Sequence, residues 1–390
     1  MRLRTVFFWC HLTAGLFAGV VIFIMSMTGV MLTYEKQMLA WSDRRAAAIE
    51  APIEPVRRAT PTELLVAAQA AYPPSPVISL TRRSGGADPD LALLGTGETM
   101  LLNPYTGALI GPASPRLRRV FRMATDWHRY LAGKGEYRAL GKALTGAANL
   151  AFLFIVLSGL YLWFPRRWSI ATLTAVTVPH FGHATGKARD FNWHNALGFW
   201  GAIPLAIVVA SATVISYQWA SDLAYRITGE NPPTRSAPAP AARGPSAAMP
   251  APVMGLDRLD ALWARAEQQQ SSWRAITLRL PASSGAPLVF TIDGGWAGEP
   301  HKRGTLTLAP TTGAMITWEP FSELSAGRRL RSFLRFAHTG EVAGLLGQTI
   351  AGIASAIGGL MVATGFALSW RRFIAWRRRR RTAPVLERAA

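Results

Sequence analysis

The sequence predicts a membrane α-helical protein. A four-helix transmembrane bundle carries two small α+β modules, and the whole is built by internal duplication. Three observations lead there. The 390 residues are 50% hydrophobic but only 16% charged, with positive mean hydropathy. Four apolar stretches each reach the roughly 20 residues that a helix needs to cross a bilayer. Two halves of the chain repeat one another's motifs in the same order.

The four stretches are Phe8–Tyr34, Gly141–Phe164, Trp193–Trp219 and Gly347–Trp370. The first is too long for the apolar core of a secretory signal, and no small-x-small cleavage site follows it at Leu32-Thr33-Tyr34-Glu35, so it reads as an uncleaved anchor. The domain boundaries follow: helix 1–34, module 35–139, helix 140–166, loop 167–192, helix 193–219, module 220–345, helix 346–372 and a basic tail 373–390. Asn231–Pro252 holds seven prolines and reads as a flexible linker inside the second module.

Charge sets the orientation. Lys and Arg number 42 against 22 acids, a formal net charge of +20. Arg2 and Arg4, then Arg166, Arg167, Lys187 and Arg189, then Arg371, Arg372 and Arg377–Arg381 flank the spans on one side. The positive-inside rule places these segments, and both termini, in the cytoplasm. Intervening stretches of about 105 and 125 residues then face the other side, since long translocated segments do not vote in that rule. The Arg377–Arg381 run reads as a topology signal in contact with lipid headgroups. No nucleic-acid fold accompanies it, so no nucleic-acid partner is expected. A single cysteine, Cys10, excludes a disulfide framework and a cysteine-held iron–sulfur cluster. No phosphate loop, GxGxxG or nucleophile elbow is present, which argues against a nucleotide site.

The duplication is read from paired motifs. Leu140-Gly-Lys-Ala-Leu-Thr-Gly146 matches Leu346-Gly-Gln-Thr-Ile-Ala-Gly352, and Ser158-Gly159 matches Thr364-Gly365. Asn103-Pro-Tyr-Thr-Gly107 matches Ala309-Pro-Thr-Thr-Gly313, His11-Leu-Thr-Ala-Gly15 matches His194-Asn-Ala-Leu-Gly198, and Tyr34 matches Tyr217. Both halves start on the same side, so a pseudo-twofold axis along the membrane normal is expected. Gly15, Gly19, Gly146, Gly198, Gly352, Gly358 and Gly359 let the helices approach closely. In the first module a helix over Pro61–Tyr72, capped by Thr60, and strands at Val77–Thr81 and Thr99–Asn103 are expected. In the second they are a helix at Leu256–Gln269 and strands near Ala275–Leu280, Leu288–Ile292 and Thr305–Leu308.

Four of the seven histidines sit at matching stations. His11 and His194 open spans one and three. His128 and His338 precede spans two and four, each ten residues after an arginine pair, Arg118-Arg119 and Arg328-Arg329. Across a pseudo-twofold axis His11 faces His194 and His128 faces His338. Two converging neutral imidazoles form the axial set of a b-type haem, so two haem b per chain are expected, without a C-x-x-C-H attachment. The arginine pairs are candidate propionate partners. Gly15 and Gly198, one turn beyond their histidines, leave room for a flat macrocycle. Zinc is the weaker alternative, because its ligands would be split between two membrane faces. His180 and His183 have no counterpart and read as solvated or as reserve ligands, and His301 lies in a polar loop of the second module. Tryptophans 9, 127, 163, 193, 200, 219 and 370 cluster at span ends as an interfacial belt.

Trp9-Cys-His11-Leu-Thr-Ala-Gly15, Asn103-Pro-Tyr-Thr-Gly107, Ser158-Gly-Leu-Tyr-Leu-Trp-Phe-Pro-Arg-Arg167 and Phe191-Asn-Trp-His194-Asn-Ala-Leu-Gly198 resemble the PepSY-associated transmembrane family of bacterial inner-membrane proteins. The resemblance runs over nearly the whole chain. Within that family the two-module plan resembles the di-haem ferric-siderophore reductases. It implies PepSY-like periplasmic modules, two b-type haems on His11, His194, His128 and His338, and reduction of siderophore iron in the periplasm by an oxidoreductase. The expected partners are membrane lipid, a ferric siderophore held between the modules, and a quinol or cytoplasmic reductase as electron donor. Ala309-Pro-Thr-Thr-Gly departs from the pattern by lacking the Asn and the aromatic residue of the first copy. Two rival functions stay open: a non-catalytic PepSY regulator with structural histidines, and a haem subunit serving another acceptor such as cupric ion.

Overall fold

The computed structural model describes residues 3–54, 56–165, 169–180, 182, 185–233, 258–281, 283, 285–295 and 299–386. Arg2, Arg166, Arg167, His183, residues 234–252 of the expected linker and the side chain of Arg381 lie outside the described residues.

In the first half of the chain the elements are α1 (Leu3–Leu32), α2 (Glu35–Ala47), α3 (Pro61–Ala71), β1 (Val77–Arg83), β2 (Asp90–Leu94), β3 (Thr99–Leu102), β4 (Leu109–Pro112), α4 (Pro115–Tyr130) and α5 (Tyr137–Trp163). The second half follows with α6 (Ile170–Thr177), α7 (Gly186–Ser216), α8 (Gln218–Ile227), α9 (Leu259–Gln269), β5 (Ala275–Arg279), β6 (Leu288–Asp293), β7 (Arg303–Leu308), β8 (Met315–Pro320), α10 (Ala326–His338) and α11 (Gly344–Leu386). These form two compact units: Met1–Thr33, Phe121–Ser221 and Ala337–Ala390 in one, Tyr34–Val120 and Asp222–Phe336 in the other.

Among the described residues four helices are long and apolar enough to cross a membrane. They coincide with the four expected spans. α1 packs on α5 and α11, and α7 packs on the same two, so α1 and α7 stand on one diagonal and α5 and α11 on the other. Small residues set the close approaches: a side chain at Gly19 would meet the Phe366 ring at 2.7 Å, and one at Gly201 would meet Ile357 at 2.7 Å. Inside the bundle, buried Asn149 donates from Nδ2 to the Val209 carbonyl at 3.1 Å and to Thr213 Oγ1 at 2.9 Å, tying α5 to α7. A polar side chain in this environment needs such partners, because no water competes for it. At one end Arg4 donates to the exposed carbonyls of Leu162 and Phe164 at the α5 terminus. At the same ends of α7 and α11, buried Asp190 takes Arg189 at 2.9 Å and Arg371 at 3.1 Å. Arg4 and Arg371 therefore each tie one long helix to another.

The second unit departs from the expected pair of separate modules. Its eight strands form one antiparallel sheet in the order β4-β3-β2-β1-β5-β6-β7-β8. The halves join through β1 and β5, paired from Ser79↔Arg279 to Arg83↔Ala275. Taken alone, each four-stranded half would leave that strand as an open edge with unpaired N–H and C=O groups; pairing removes both edges at once. Helices α3 and α9 pack on each other, and one core holds Leu64 and Ala68 of the first half together with Trp263, Ile276 and Phe290 of the second. The two modules are thus halves of a shared sheet and core. β2, β4 and β8 were not expected from the sequence. β4 and β8 are edge strands, and β8 has little buried surface, so the hydrophobic signal there is faint.

Local chemistry explains the ends that were foreseen. Thr60 caps α3 by accepting from Glu63 N at 3.2 Å, while Glu63 Oε2 accepts from Thr60 N at 2.7 Å. Asn103 Oδ1 accepts from the backbone N–H of Tyr105 and Thr106 at 2.9 and 3.1 Å, and Gly107 takes the left-handed φ of 71°. The second turn has Ala309 in place of the Asn, so the side-chain bonds are absent. Yet Gly313 N still reaches Ala309 O at 2.9 Å, as Gly107 N reaches Asn103 O at 2.9 Å. The shared role of the two turns is structural.

Glu230 organises the start of α10. Its carboxylate accepts from Ser325 Oγ at 2.7 Å and from Gly327 N at 3.0 Å, one of the N–H groups that a helix start leaves without an internal partner. These bonds, Ser325 first, hold its pKa below the ordinary glutamate value. A carboxylate with a lowered folded pKa contributes stability above its unfolded pKa, and that contribution disappears as pH falls through the folded value. Glu230→Gln is therefore expected to lower thermal stability at neutral pH. The gap between variant and wild type should close once the pH drops below the glutamate range. A gap that stays constant with pH would refute the linkage.

Candidate cofactor site: two histidine pairs

Each histidine of the matched set is held by its Nδ1 atom. His11 on α1 reaches Ser158 Oγ of α5 at 2.9 Å, and His194 on α7 reaches Thr364 Oγ1 of α11 at 2.9 Å. His128, in the last turn of α4, reaches the Met25 carbonyl of α1 at 3.0 Å, with Thr28 Oγ1 also at 3.0 Å. His338, at the end of α10, reaches the Val208 carbonyl of α7 at 2.9 Å. In every case the partner belongs to a long helix of the same half.

These contacts decide the tautomer. A carbonyl oxygen only accepts, so Nδ1 of His128 and His338 carries the proton. The hydroxyls lead to the same answer. Ser158 Oγ donates to Ile155 O at 3.3 Å, and Thr364 Oγ1 donates to Leu360 O at 2.9 Å. With its proton used there, each hydroxyl accepts from the imidazole N–H. All four rings then keep the Nε2 lone pair as the donor atom.

The rings of His128 and His338 come close together. The centroids of His128 and His338 lie 6.1 Å apart, with ring planes at 48°. Two imidazoles on opposite sides of one metal, bonded at about 2.0–2.1 Å each, put their ring centres roughly 6.2 Å apart. The pair fits a shared axial metal such as haem iron. His11 and His194 each lie against a matching glycine: a side chain at Gly159 would meet His11 Cε1 at 3.2 Å, and one at Gly365 would meet His194 Cε1 at 3.5 Å. Met25 stands fourteen residues beyond His11 on α1, and Val208 fourteen beyond His194 on α7, a rise of about 21 Å. The two pairs therefore occupy two levels of one bundle. Among the described residues no three His, Cys, Asp or Glu side chains gather closely enough to hold a metal ion. The zinc alternative thus finds no third ligand there.

Other expected site residues are placed differently. Arg118, assigned to a propionate, donates to both oxygens of buried Asp43 at 2.8 and 2.9 Å. Arg328, given the same assignment, pairs with Glu319 at 3.0 Å, and Arg119 and Arg329 are exposed. Two members of that set are thus already engaged by carboxylates of the sheet unit. The position beyond Gly15 opens on free space, but a side chain at Gly198 would meet Met361 Cε at 3.1 Å, so only the first leaves the room foreseen for a macrocycle. His180 is exposed, with its backbone N–H on Asn192 Oδ1, and His301 is exposed 3.9 Å from Glu299.

The tryptophans divide by role. Trp163, Trp193 and Trp200 donate their indole N–H to Val176 O, His180 O and Thr177 O. Together with Asn192, which donates to Ala175 O and Val178 O, they pin α6 and the chain after it. These polar partners were not legible from sequence, because a span-end tryptophan looks the same whether it meets a carbonyl or lipid.

Comparison with characterised proteins finds no match. The profile of the PepSY-associated TM region matches residues 8–372. Four spanning-length helices and a match over almost all of the chain show that this protein belongs to the PepSY-associated TM region family.

Proposed function

We propose that this chain is an inner-membrane electron-transfer protein that holds two b-type haems and reduces the iron of ferric siderophores in the periplasm. The observation that carries the proposal is the His128–His338 pair, with centroids 6.1 Å apart and both Nδ1 protons tied to backbone carbonyls. At the other level His11 and His194 have their Nδ1 atoms on Ser158 Oγ and Thr364 Oγ1, each at 2.9 Å. When bound, each haem supplies a one-electron iron centre. The chain's own residues do the rest. His11 and His194 would hold one group and His128 and His338 the other. Their anchors fix the tautomer, and the surrounding apolar helices exclude water and so tune the site.

Internal duplication accounts for the matching anchors: Met25 with Val208, Ser158 with Thr364, Gly159 with Gly365. The basic flanks Lys187, Arg189, Arg371, Arg372 and Arg377–Arg380 favour a cytoplasmic location for the end that carries His11 and His194. The sheet unit would then be periplasmic, where a ferric chelate is met. A quinol or cytoplasmic reductase would be the electron donor.

The absorption spectrum with haem quantitation tests this. Purified wild type is expected to be red, with a Soret band and two haems per chain. His11→Ala and His128→Ala should each lose one. A colourless protein, or two haems retained in both variants, would overturn the assignment. Reoxidation of the reduced protein by ferric siderophores, faster than by cupric ion, would support the acceptor; the reverse order would remove it.

A further inference from the structure

We infer that α6 is embedded in the membrane beside α7, with lipid chains against its outer face, although the sequence places it in a water-exposed loop over 167–192. The main chain at the end of α6 carries the argument. A helix that ends in water leaves its last carbonyls to the solvent. Here five consecutive carbonyls each have a protein donor. Val178 N reaches Thr174 O at 3.0 Å. Asn192 Nδ2 donates to Ala175 O at 2.8 Å and to Val178 O at 3.0 Å. Trp163 Nε1 donates to Val176 O at 3.1 Å, and Trp200 Nε1 to Thr177 O at 2.9 Å. Just beyond, Trp193 Nε1 donates to His180 O at 3.0 Å. Water would serve these groups equally well at a wet surface. In hydrocarbon they need partners from the protein itself.

The side chains of α6 obey the same rule. Thr174 Oγ1 donates to Ile170 O at 2.8 Å, and Thr177 Oγ1 to Leu173 O at 2.7 Å, so both hydroxyl protons are used inside the helix. Ser169 Oγ accepts from Thr172 N at 3.1 Å. Ile170–Thr177 contains no charged residue and buries none of its side chains. Ile170, Ala171, Thr174, Ala175 and Val178 share one exposed face, with Ile170 86% and Val178 44% open. A short helix with so apolar a face, and with its polar groups satisfied internally, matches the chemistry of a bilayer.

Depth follows from α7. That helix is of spanning length, and Trp200 lies seven residues beyond Trp193, where the third span is expected to begin. Trp200, Ile203 and Ile207 follow at helical spacing and are all exposed. The outer face of α6 thus continues the surface that α7 turns to lipid. This inference does not depend on the haem reading.

Site-directed spin labelling of the full-length protein tests it. Cys10 is the only cysteine, so Cys10→Ser gives a clean background. Ala175→Cys and, separately, Val178→Cys would carry a nitroxide in vesicles of phosphatidylcholine and phosphatidylglycerol. Both positions are exposed, so the label displaces no packed group. Ile203→Cys is the reference for a lipid-facing position and Glu98→Cys, exposed in the sheet unit, the reference for water. Power saturation compares collisions with oxygen, which concentrates in lipid, and with a water-soluble nickel chelate. The oxygen-to-nickel ratio at both α6 positions is expected to match that at Ile203 and to exceed that at Glu98 several-fold. A ratio equal to that at Glu98 would place α6 in water and overturn the inference. Low accessibility to both reagents would mean that protein covers the face, and would overturn it too.

Discussion

Gly141→Ala is expected to open the α4–α5 hairpin and cost the protein the haem assigned to His128 and His338. A side chain at Gly141 would stand 1.9 Å from the Tyr130 carbonyl oxygen and 2.6 Å from its carbon. The collision is with backbone, so no rotamer relieves it. Tyr130 lies two residues after His128, and Thr145 Oγ1 donates to Arg129 O at 3.0 Å across the same contact. Overpacking commonly costs about 1–3 kcal/mol, and a main-chain clash belongs at the upper end. Thermal unfolding should fall markedly, and haem content should drop by about half in the protein that survives. Gly347→Ala should do the same in the second half, where the added carbon would meet Gly340 O at 2.2 Å. Gly182→Ala is the control, since nothing lies within 4 Å of its new carbon. Equal stability of the Gly141 and Gly182 variants would sink the prediction.

Asp43→Ala is expected to destabilise the sheet unit by about 3 kcal/mol. This carboxylate is fully buried, with Arg118 on both its oxygens and Arg83 Nη2 at 3.6 Å. Removing one member of a buried ion pair leaves the opposite charge without compensation, a loss typically of about 3–5 kcal/mol. Arg118 and Arg83 are about a fifth exposed, which moves the figure to the low end of that range. Asp43→Ala/Arg118→Met should recover part of the loss, because it removes one of the stranded cations. Chemical denaturation of the two variants and wild type decides the matter. An Asp43→Ala protein within 0.5 kcal/mol of wild type, the usual size of a surface substitution, would show that the pair holds nothing together.

The two outcomes bear on different layers of the molecule. The Gly141 variant perturbs the helix that carries a proposed ligand and should report through the spectrum. The Asp43 variant alters a residue network in the sheet unit and should report through stability. A spectrum unchanged in the second and altered in the first would keep the proposed cofactor chemistry and the sheet architecture separable.

Much of the plan was legible before any coordinates. Spans of apolar residues must form helices in a bilayer, because a lone backbone cannot leave N–H and C=O groups unpaired there, so length and hydropathy determine them. The repeated motifs around them then led to His11 with His194 and His128 with His338 as expected counterparts, although the two pairs are 183 and 210 residues apart. Similar local context is enough for this even when the copies differ in length. Thr60 with Glu63, and Asn103 with Gly107, were readable because caps and turns are satisfied within a few residues.

Tertiary structure alone decided what depends on distant partners. β1 and β5 could have remained edges of two modules; their union rests on pairing across nearly 200 residues, which local pattern does not encode. Arg118 looked like an anion binder until Asp43 was seen to hold it, since a guanidinium takes whichever carboxylate the fold brings near. The tautomer of each histidine was likewise set from outside, by Ser158, Thr364, Met25 and Val208 on neighbouring helices. Residue type announced that imidazoles were available. Only packing determined which nitrogen would be left to bind.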